Sequence, residues 1–311
     1  MSILISGSIA FDTIIQTVGN FRTADNISNA DLHLSLFAPI VRREYGGTAA
    51  NIAYSLALLG KQSHIIASIG EDGKESIMRL NEMWINTELV NVIPGSYCPQ
   101  AYILRDEGNG QINTFHAGAM SASGELTHGN IHFEYAIAAP DSKEGIIRRI
   151  EECSSAWIFT LFDPGQAMWL FTKEELKKMS ILAKISIMNE PEQKQYKEIV
   201  GEDVVDICLA QWNIAIITLA EKWSCIYKEW EIIEISWIYT NNAIDPTGCG
   251  DSYRSWLLYG LSEWWDIAKS CQLGSIIGGI KIESIWPQNH TLNKNIINTL
   301  GEKEYWIKFF D

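Results

Sequence analysis

The chain has 311 residues, more than one small core requires, which leaves a choice between one large α/β domain and a domain with an appendage. Acids outnumber bases, 38 Asp plus Glu against 24 Lys plus Arg, for a formal charge of −14. With no basic stripe, nucleic acid and anionic membranes are poor partners.

The start, "MSILISGSIAFDTI", has no basic n-region, and Gly7 and Asp12 break its apolar run too soon for a signal peptide or a span; the expected location is the cytoplasm. Six cysteines (Cys98, Cys153, Cys208, Cys225, Cys249, Cys271) lack C-x-x-C spacing, the pattern of reduced thiols rather than of a disulfide frame or a zinc site. Short apolar runs then alternate with helical patterns. "ILISGS" predicts a strand and "TAANIAYSLALLG" a helix stopped by Gly60. "SHIIASIG" predicts a strand, "DGKESIMRLNEM" a helix, "EYAIAAP" a strand, "SKEGIIRRIEEC" a helix, and "WIFTLFD" and "NIAIITLA" two further strands. Two long helices, "GCGDSYRSWLLYGL" and "WDIAKSCQLGSIIGGIKI", occupy the last third, and the order suggests a doubly wound core. Residues 11 to 20 with 32 to 43, and 98 to 116, alternate like strands without helices between them, with a hairpin signal in "DEGNGQ" at Gly108 and Gly110. They read as a small β-rich lid, and with no repeat or Pro/Ser-rich linker the better organisation is a single domain, 1–311, carrying that lid.

"DPTGCGD", at the start of the first long C-terminal helix, carries the clearest chemistry. A glycine-rich turn opening a helix aims several unpaired N–H groups at one point, and the helix dipole reinforces them, so the turn suits an anion, most commonly phosphate. Asp251 beside a phosphate makes sense as a base for an incoming hydroxyl. It is equally placed to stabilise a helix start, where acids are favoured for structural reasons alone. Neither G-x-x-x-x-G-K-[ST] nor G-x-G-x-x-G is present, so a dehydrogenase reading loses its main support.

"DPTGCGDSYRSW" resembles the C-terminal signature D-x-[TA]-G-[AC]-G-D of the ribokinase-like (PfkB) carbohydrate and nucleoside kinases. "REYGGTAANIAYSLALLG", far upstream, is similar to that family's N-terminal signature, a Gly-Gly pair followed by Asn on a helix; "GSIAFD", "NEPE" and "ITLAEK" extend the resemblance over the whole chain. "NTFHAGAM", "FDPGQ" and "WPQNH" look most like the bacterial adenosine or nucleoside kinases.

The resemblance implies a three-layer α/β/α sandwich with a mostly parallel central sheet and a β-rich lid, and transfer of the γ-phosphoryl of ATP to a hydroxymethyl group. It makes Asp251 the base and the N–H groups of Gly248, Cys249 and Gly250 the anion hole. Asp12, Gly46, Gly47 and Asn51 would hold sugar hydroxyls, a suitable task for carboxylate and amide groups. Asn189 and Glu192 match the N-x-x-E positions that organise Mg2+ and phosphate through water, and Thr218 with Ala220 in "LAEKWS" lies where the family contacts the nucleotide. Asp245 matches a position linked in many members to a monovalent cation such as K+. Gly46 and Gly47 alone read as a tight turn into a helix; together with Asn51 and the second signature they read as binding residues. Asn189 also reads as a cap for the helix after it. Phe115 and His116 read as packing or surface residues of the lid, His290 as structural or nucleotide-adjacent, and Cys249 contributes its backbone rather than its thiol. A kinase for a nucleoside, adenosine first, leads. A kinase for ribose, fructose or a related sugar is the second reading, and a silent sugar- or nucleotide-binding regulator on the same fold is the third. Monomer and homodimer both remain open.

Twelve tryptophans are the anomaly. Trp223 and Trp230 fall at hairpin-like turns that favour φ > 0, and Trp84 at a helix stop that prefers glycine. Trp212, Trp256 and Trp286 fall on family glycine positions, with Trp157 and Trp264 as further cases, whereas Trp169, Trp237, Trp265 and Trp306 have no such place. One reading is that the source reads UGA as glycine, as some uncultivated bacterial lineages do, and that translation with UGA as tryptophan produced this sequence. The other is genuine enrichment.

Overall fold

The computed structural model describes residues 2–19, 36–108, 110–220, 222–229, 231–238 and 240–311; expectations falling on residues 20, 32–35 and Trp230 lie outside them. The run Ile3–Ser6 forms β1, buried along its whole length as a strand covered on both faces must be. In chain order follow β2 (Ala10–Gln16), β3 (Ile40–Gly46), α1 (Thr48–Ala57), β4 (His64–Gly70), α2 (Lys74–Glu82), β5 (Asn86–Ile93), β6 (Gln100–Arg105) and β7 (Gln111–His116). Next come β8 (Tyr135–Ala138), α3 (Lys143–Ser155), β9 (Phe159–Phe162), α4 (Lys173–Leu182), β10 (Ile185–Asn189), α5 (Glu190–Val200), α6 (Val204–Leu209) and β11 (Ile214–Thr218). The chain ends with β12 (Trp223–Lys228), β13 (Glu231–Ser236), α7 (Cys249–Ser262), α8 (Ile267–Lys281) and α9 (Lys294–Tyr305).

Nine strands form the central sheet in the order β13-β12-β11-β10-β9-β8-β1-β4-β5. All neighbours from β5 to β11 pair in parallel, and β12 runs antiparallel to both β11 and β13. The chain builds outward from β1 through β4 and β5, then returns to β8 on the other side of β1 and proceeds to β11. That reversal makes a switch point beyond the C-terminal ends of β1 and β8, where a doubly wound sheet opens a crevice. Side chains alternate between two cores along the strands. Ile216 joins the core formed with α1, α7 and α8, while its neighbours Ala215 and Ile217 join the one formed with α3 to α6, which gives the three layers.

The smaller sheet, β3-β2-β6-β7, is the lid. β2 pairs antiparallel with β3 and parallel with β6, and β6 pairs antiparallel with β7. Every side chain of β7 is exposed, so this sheet has no second layer of its own and projects from the main body through β2 and β3.

Eight non-glycine residues among the described ones have positive φ, and six are tryptophans: Trp84, Trp157, Trp212, Trp264, Trp286 and Trp306. The first four close α2, α3, α6 and α7 with one bond pattern. In α2, Trp84 N–H donates to Asn81 O (3.0 Å) and Ile85 N–H to Leu80 O (3.1 Å). Gly60 closes α1 in the same way, with Gly60 N–H on Ala57 O (2.9 Å) and Lys61 N–H on Leu56 O (3.1 Å). This is the Schellman closure, whose left-handed residue is ordinarily glycine. Trp223 departs from expectation, because it opens β12 in register with Ser236 and the left-handed residue of that turn is Ala220, φ 52°. Trp256 also differs, being fully buried within α7.

Candidate active site

The Gly46-Gly47 turn lies where β3 meets α1, and the register Ala10 to Gly46 sets it beside β2. A Cβ on Gly46 would come within 2.7 Å of Asp12 Oδ2, and one on Gly47, whose φ is 90°, within 2.5 Å of Ser8 O and Ala10 N. Backbone lies on backbone here, which excludes any side chain at Gly47. Asn51, one turn into α1 and buried, then faces α7.

Gly248, φ 81°, caps α7, and a Cβ there would strike Pro287 Cβ at 2.6 Å. The N–H groups of this turn are not equivalent. Cys249 N–H already donates to Pro246 O (3.1 Å), whereas those of Gly248, Gly250 and Asp251 have no acceptor among the described residues. Asn51 Nδ2 donates to Asp251 Oδ2 at 2.7 Å, so the two signatures meet side chain to side chain. Gln288 Nε2 donates to Asn51 Oδ1 (2.9 Å), and Arg79 Nη1 donates to Gln288 Oε1, fixing which way the Asn51 amide points. Burial raises the pKa of Asp251, and Asn51, Arg254 and Lys281 oppose the rise. Asp12 is pushed up to about 6, first by burial and then by the charge of Asp251.

Arg254 and Asp163 were not singled out by sequence reasoning. Arg254 lies one turn after Asp251 on α7; its Nη2 donates to Asp163 Oδ1 (3.0 Å), its Nε approaches Asp163 Oδ2, and its Nη1 donates to Gly250 O (3.0 Å). Burial opposes the guanidinium charge, but Asp163, Glu192 and Asp251 outweigh it and raise its pKa. The i, i+3 spacing from Asp251 was the available signal. His290 is fully buried, with Nδ1 against Pro287 O (3.1 Å), and burial drives its pKa down to about 4, so it stays neutral.

Asn189 ends β10 in register with Thr218 at the end of β11, so both stand on the C-terminal edge of the sheet, with Ala220 just beyond. Asn189 and Glu192 close a reciprocal capping box: Asn189 Oδ1 accepts from Glu192 N–H and Glu192 Oε2 from Asn189 N–H, both at 2.8 Å. Glu192 is close enough to Asp163, Arg254 and Asp251 to act on each electrostatically. Among the described residues, no cluster of three or more His, Cys, Asp or Glu could hold a metal unaided. A lone Glu192 fits a small hard cation that takes its remaining ligands from phosphate and water.

Asp245 is engaged differently. Its Oδ1 accepts from Thr247 N–H (3.0 Å) and its Oδ2 from Trp286 N–H (2.9 Å), bonds that hold its pKa below the usual value although burial pulls the other way. Its carbonyl accepts from the Lys281 ammonium at 2.9 Å. These residues do not fit a monovalent metal cation.

Two glycine-bound turns thus meet at a carboxylate at a helix start, and the family and relatives of the chain make it a phosphotransferase acting on hydroxyl groups. Residues 28–294 match the model of the pfkB family of carbohydrate kinases. The chain belongs to that family, as a nucleoside or sugar kinase, and the family implies ATP and a divalent metal. It is 29% identical to the nucleoside kinase of Methanocaldococcus jannaschii over 252 residues, 80% of this chain and 83% of that protein. The structure of Burkholderia thailandensis nucleoside kinase in complex with inosine superposes with a TM-score of 0.87 at 33% identity, covering 98% of this chain and 99% of that one. The structure of the M. jannaschii nucleoside kinase gives a TM-score of 0.88 at 27% identity, over 97% and 98% of the two chains. Among the described residues no helix is long and apolar enough to cross a membrane.

Proposed function

We propose that the protein is an ATP- and Mg2+-dependent nucleoside kinase that phosphorylates the 5′-hydroxymethyl group, with adenosine as its first substrate. The carrying observation is the Asn51 to Asp251 contact, which joins the sugar-side turn to the phosphate-side turn through one part-buried carboxylate. Asp12 and the Gly46-Gly47 backbone accept and donate to the ribose hydroxyls, and Asn51 moves between Asp251 and the substrate. The Asp251 carboxylate takes the proton of the attacking hydroxyl. The unbonded N–H groups of Gly248, Gly250 and Asp251 meet the charge developing on the transferred group; Cys249, whose N–H is spent within the turn, shapes the hole rather than filling it. Arg254, braced by Asp163, fixes the first turn of α7 through the Gly250 carbonyl. Glu192 and Asn189 would hold Mg2+ through water and Thr218 and Ala220 would flank the nucleotide; the metal would supply charge that neutralises the phosphates.

A nucleoside rather than a free sugar is favoured because, over comparable spans, identity is 29% and 33% to the two nucleoside kinases against 24% to a fructokinase and 17% to a ribokinase. An ATP-consumption panel with adenosine, inosine, guanosine, ribose and fructose tests the reading. Adenosine should give the highest kcat/KM, and a preference for ribose or fructose would replace it with the sugar-kinase reading.

A further inference from the structure

Lys281 is the last residue of α8 and is fully buried, an uncommon fate for a lysine. Its ammonium donates to two backbone carbonyls, Asp245 O at 2.9 Å and Ser284 O at 3.1 Å, which come from the segment before the anion turn and from the loop after α8. The same two segments are cross-tied elsewhere. Ile244 N–H and Asp245 N–H both donate to Ile282 O (2.8 and 3.0 Å), and Trp286 N–H donates to the Asp245 carboxylate (2.9 Å). Converging carbonyls beside a part-buried carboxylate are the oxygen donors a metal cation would take, and here a covalently tethered cation holds the carbonyls. The charge also reaches the chemistry, for Lys281 acts electrostatically on Asp251 and on Cys249.

From this geometry we infer that the Lys281 ammonium is a built-in replacement for a monovalent metal cation, holding the anion turn 245–250 in shape and supplying fixed positive charge behind it. A metal ion placed among these oxygens would lie against that charge and would lose two donors to it. Lys281 is a positioning residue, touching neither sugar nor phosphate, and its assignment rests on the kinase reading above. The enzyme should therefore turn over equally well in K+ and in a buffer whose only monovalent cation is tetramethylammonium.

Lys281→Met keeps the apolar stem and removes the charge. It should lower kcat at least tenfold in tetramethylammonium, and K+ or NH4+ should restore most of the loss. Melting curves give a readout without substrate: K+ should leave the wild-type midpoint unchanged and raise that of Lys281→Met. Tenfold activation of the wild type by K+, or a Lys281→Met enzyme indifferent to every monovalent cation in both assays, would overturn the proposal. If no nucleoside or sugar is phosphorylated at all, the functional reading fails while the melting comparison still decides the lysine.

A second observation stands independently. Seven helices among the described residues end through a left-handed residue: α1 and α5 at Gly60 and Gly201, and α2, α3, α6, α7 and α9 at Trp84, Trp157, Trp212, Trp264 and Trp306. All five tryptophans are exposed, Trp157 at 93%, so no packing repays the strained backbone. The two buried members of the set, Trp256 and Trp286, have indole N–H groups without partners, and Trp286 is itself left-handed at φ 65°. The geometry points to glycine at the six left-handed positions, Trp84, Trp157, Trp212, Trp264, Trp286 and Trp306, in the natural protein, as UGA codons read as glycine would give. Gene sequence and native peptide masses test it: UGA codons with glycine masses are the expected result, and UGG codons or tryptophan masses would overturn it.

Discussion

Left-handed backbone serves two different ends in the candidate active site and at the helix termini. At Gly47 and Gly248 the positive φ coincides with a close approach, Gly47 to the Ser8 carbonyl and Gly248 to Pro287, so the missing side chain is needed for space as well as for conformation. At Trp84, Trp157, Trp212, Trp264 and Trp306 the same conformation points into solvent, and only the torsion is demanded. Gly60, where a Cβ would meet nothing, has the glycine of the first region in the setting of the second. The site is thus intolerant of any side chain, while the helix ends tolerate even an indole at a modest energetic penalty.

That contrast sets a graded series of tests. Arg254→Met strands the buried Asp163 charge inside the site and should lower stability by about 3–5 kcal/mol, read from denaturant midpoints. Gly47→Ala and Gly248→Ala displace the sugar turn and the anion turn, and each should lower kcat/KM by roughly 100-fold while leaving the fold cooperative. At the helix ends, Trp84→Gly should stabilise the chain by about 1 kcal/mol and leave turnover unchanged. Trp157→Gly and Trp212→Gly should each act alike, and their effects should add because the sites are separate. A loss of stability in any of the three would remove the distinction between the regions.

Proton linkage separates the two carboxylates of the site. Asp12 has a pKa of about 6, so it is ionised at neutral pH and becomes protonated as the pH falls through about 6. Substrate affinity should weaken over that interval, seen as a rising KM. Asp251 is also raised, by burial first, so kcat should begin to fall with acidification earlier than an ordinary carboxylate base would allow. Asp12→Asn should flatten the KM limb and leave the kcat limb in place.

Much of this was legible before the structure because it is local. Apolar alternation and helical spacing located β1, α1, β4, α2, β8, α3, β9, β11, α7 and α8, and the hairpin signal at Gly108 and Gly110 located the turn between β6 and β7. The long-range pairings were not legible. Asp163 directly follows β9 and meets Arg254 from α7, and Gln288 reaches Asn51 across 237 residues, with no periodicity to announce either contact. Lys281 closes an apolar helix and reads as a solvated last-turn base until its burial is seen. The turn expected at Trp223 failed for a related reason: pairing with Ser236 draws that residue into β12, and the left-handed step falls at Ala220.

The central claim is that Asp251 is the base, while its turn meets the charge developing on the transferred phosphoryl group. Asp251→Asn, isosteric and still able to meet Asn51, isolates the proton acceptor. In isothermal titration and single-turnover assays with adenosine and ATP, it should bind nucleoside within a few-fold of wild type and lose about 10³-fold in kcat. Near wild-type turnover would contradict the account and leave Asp251 as a helix-start carboxylate.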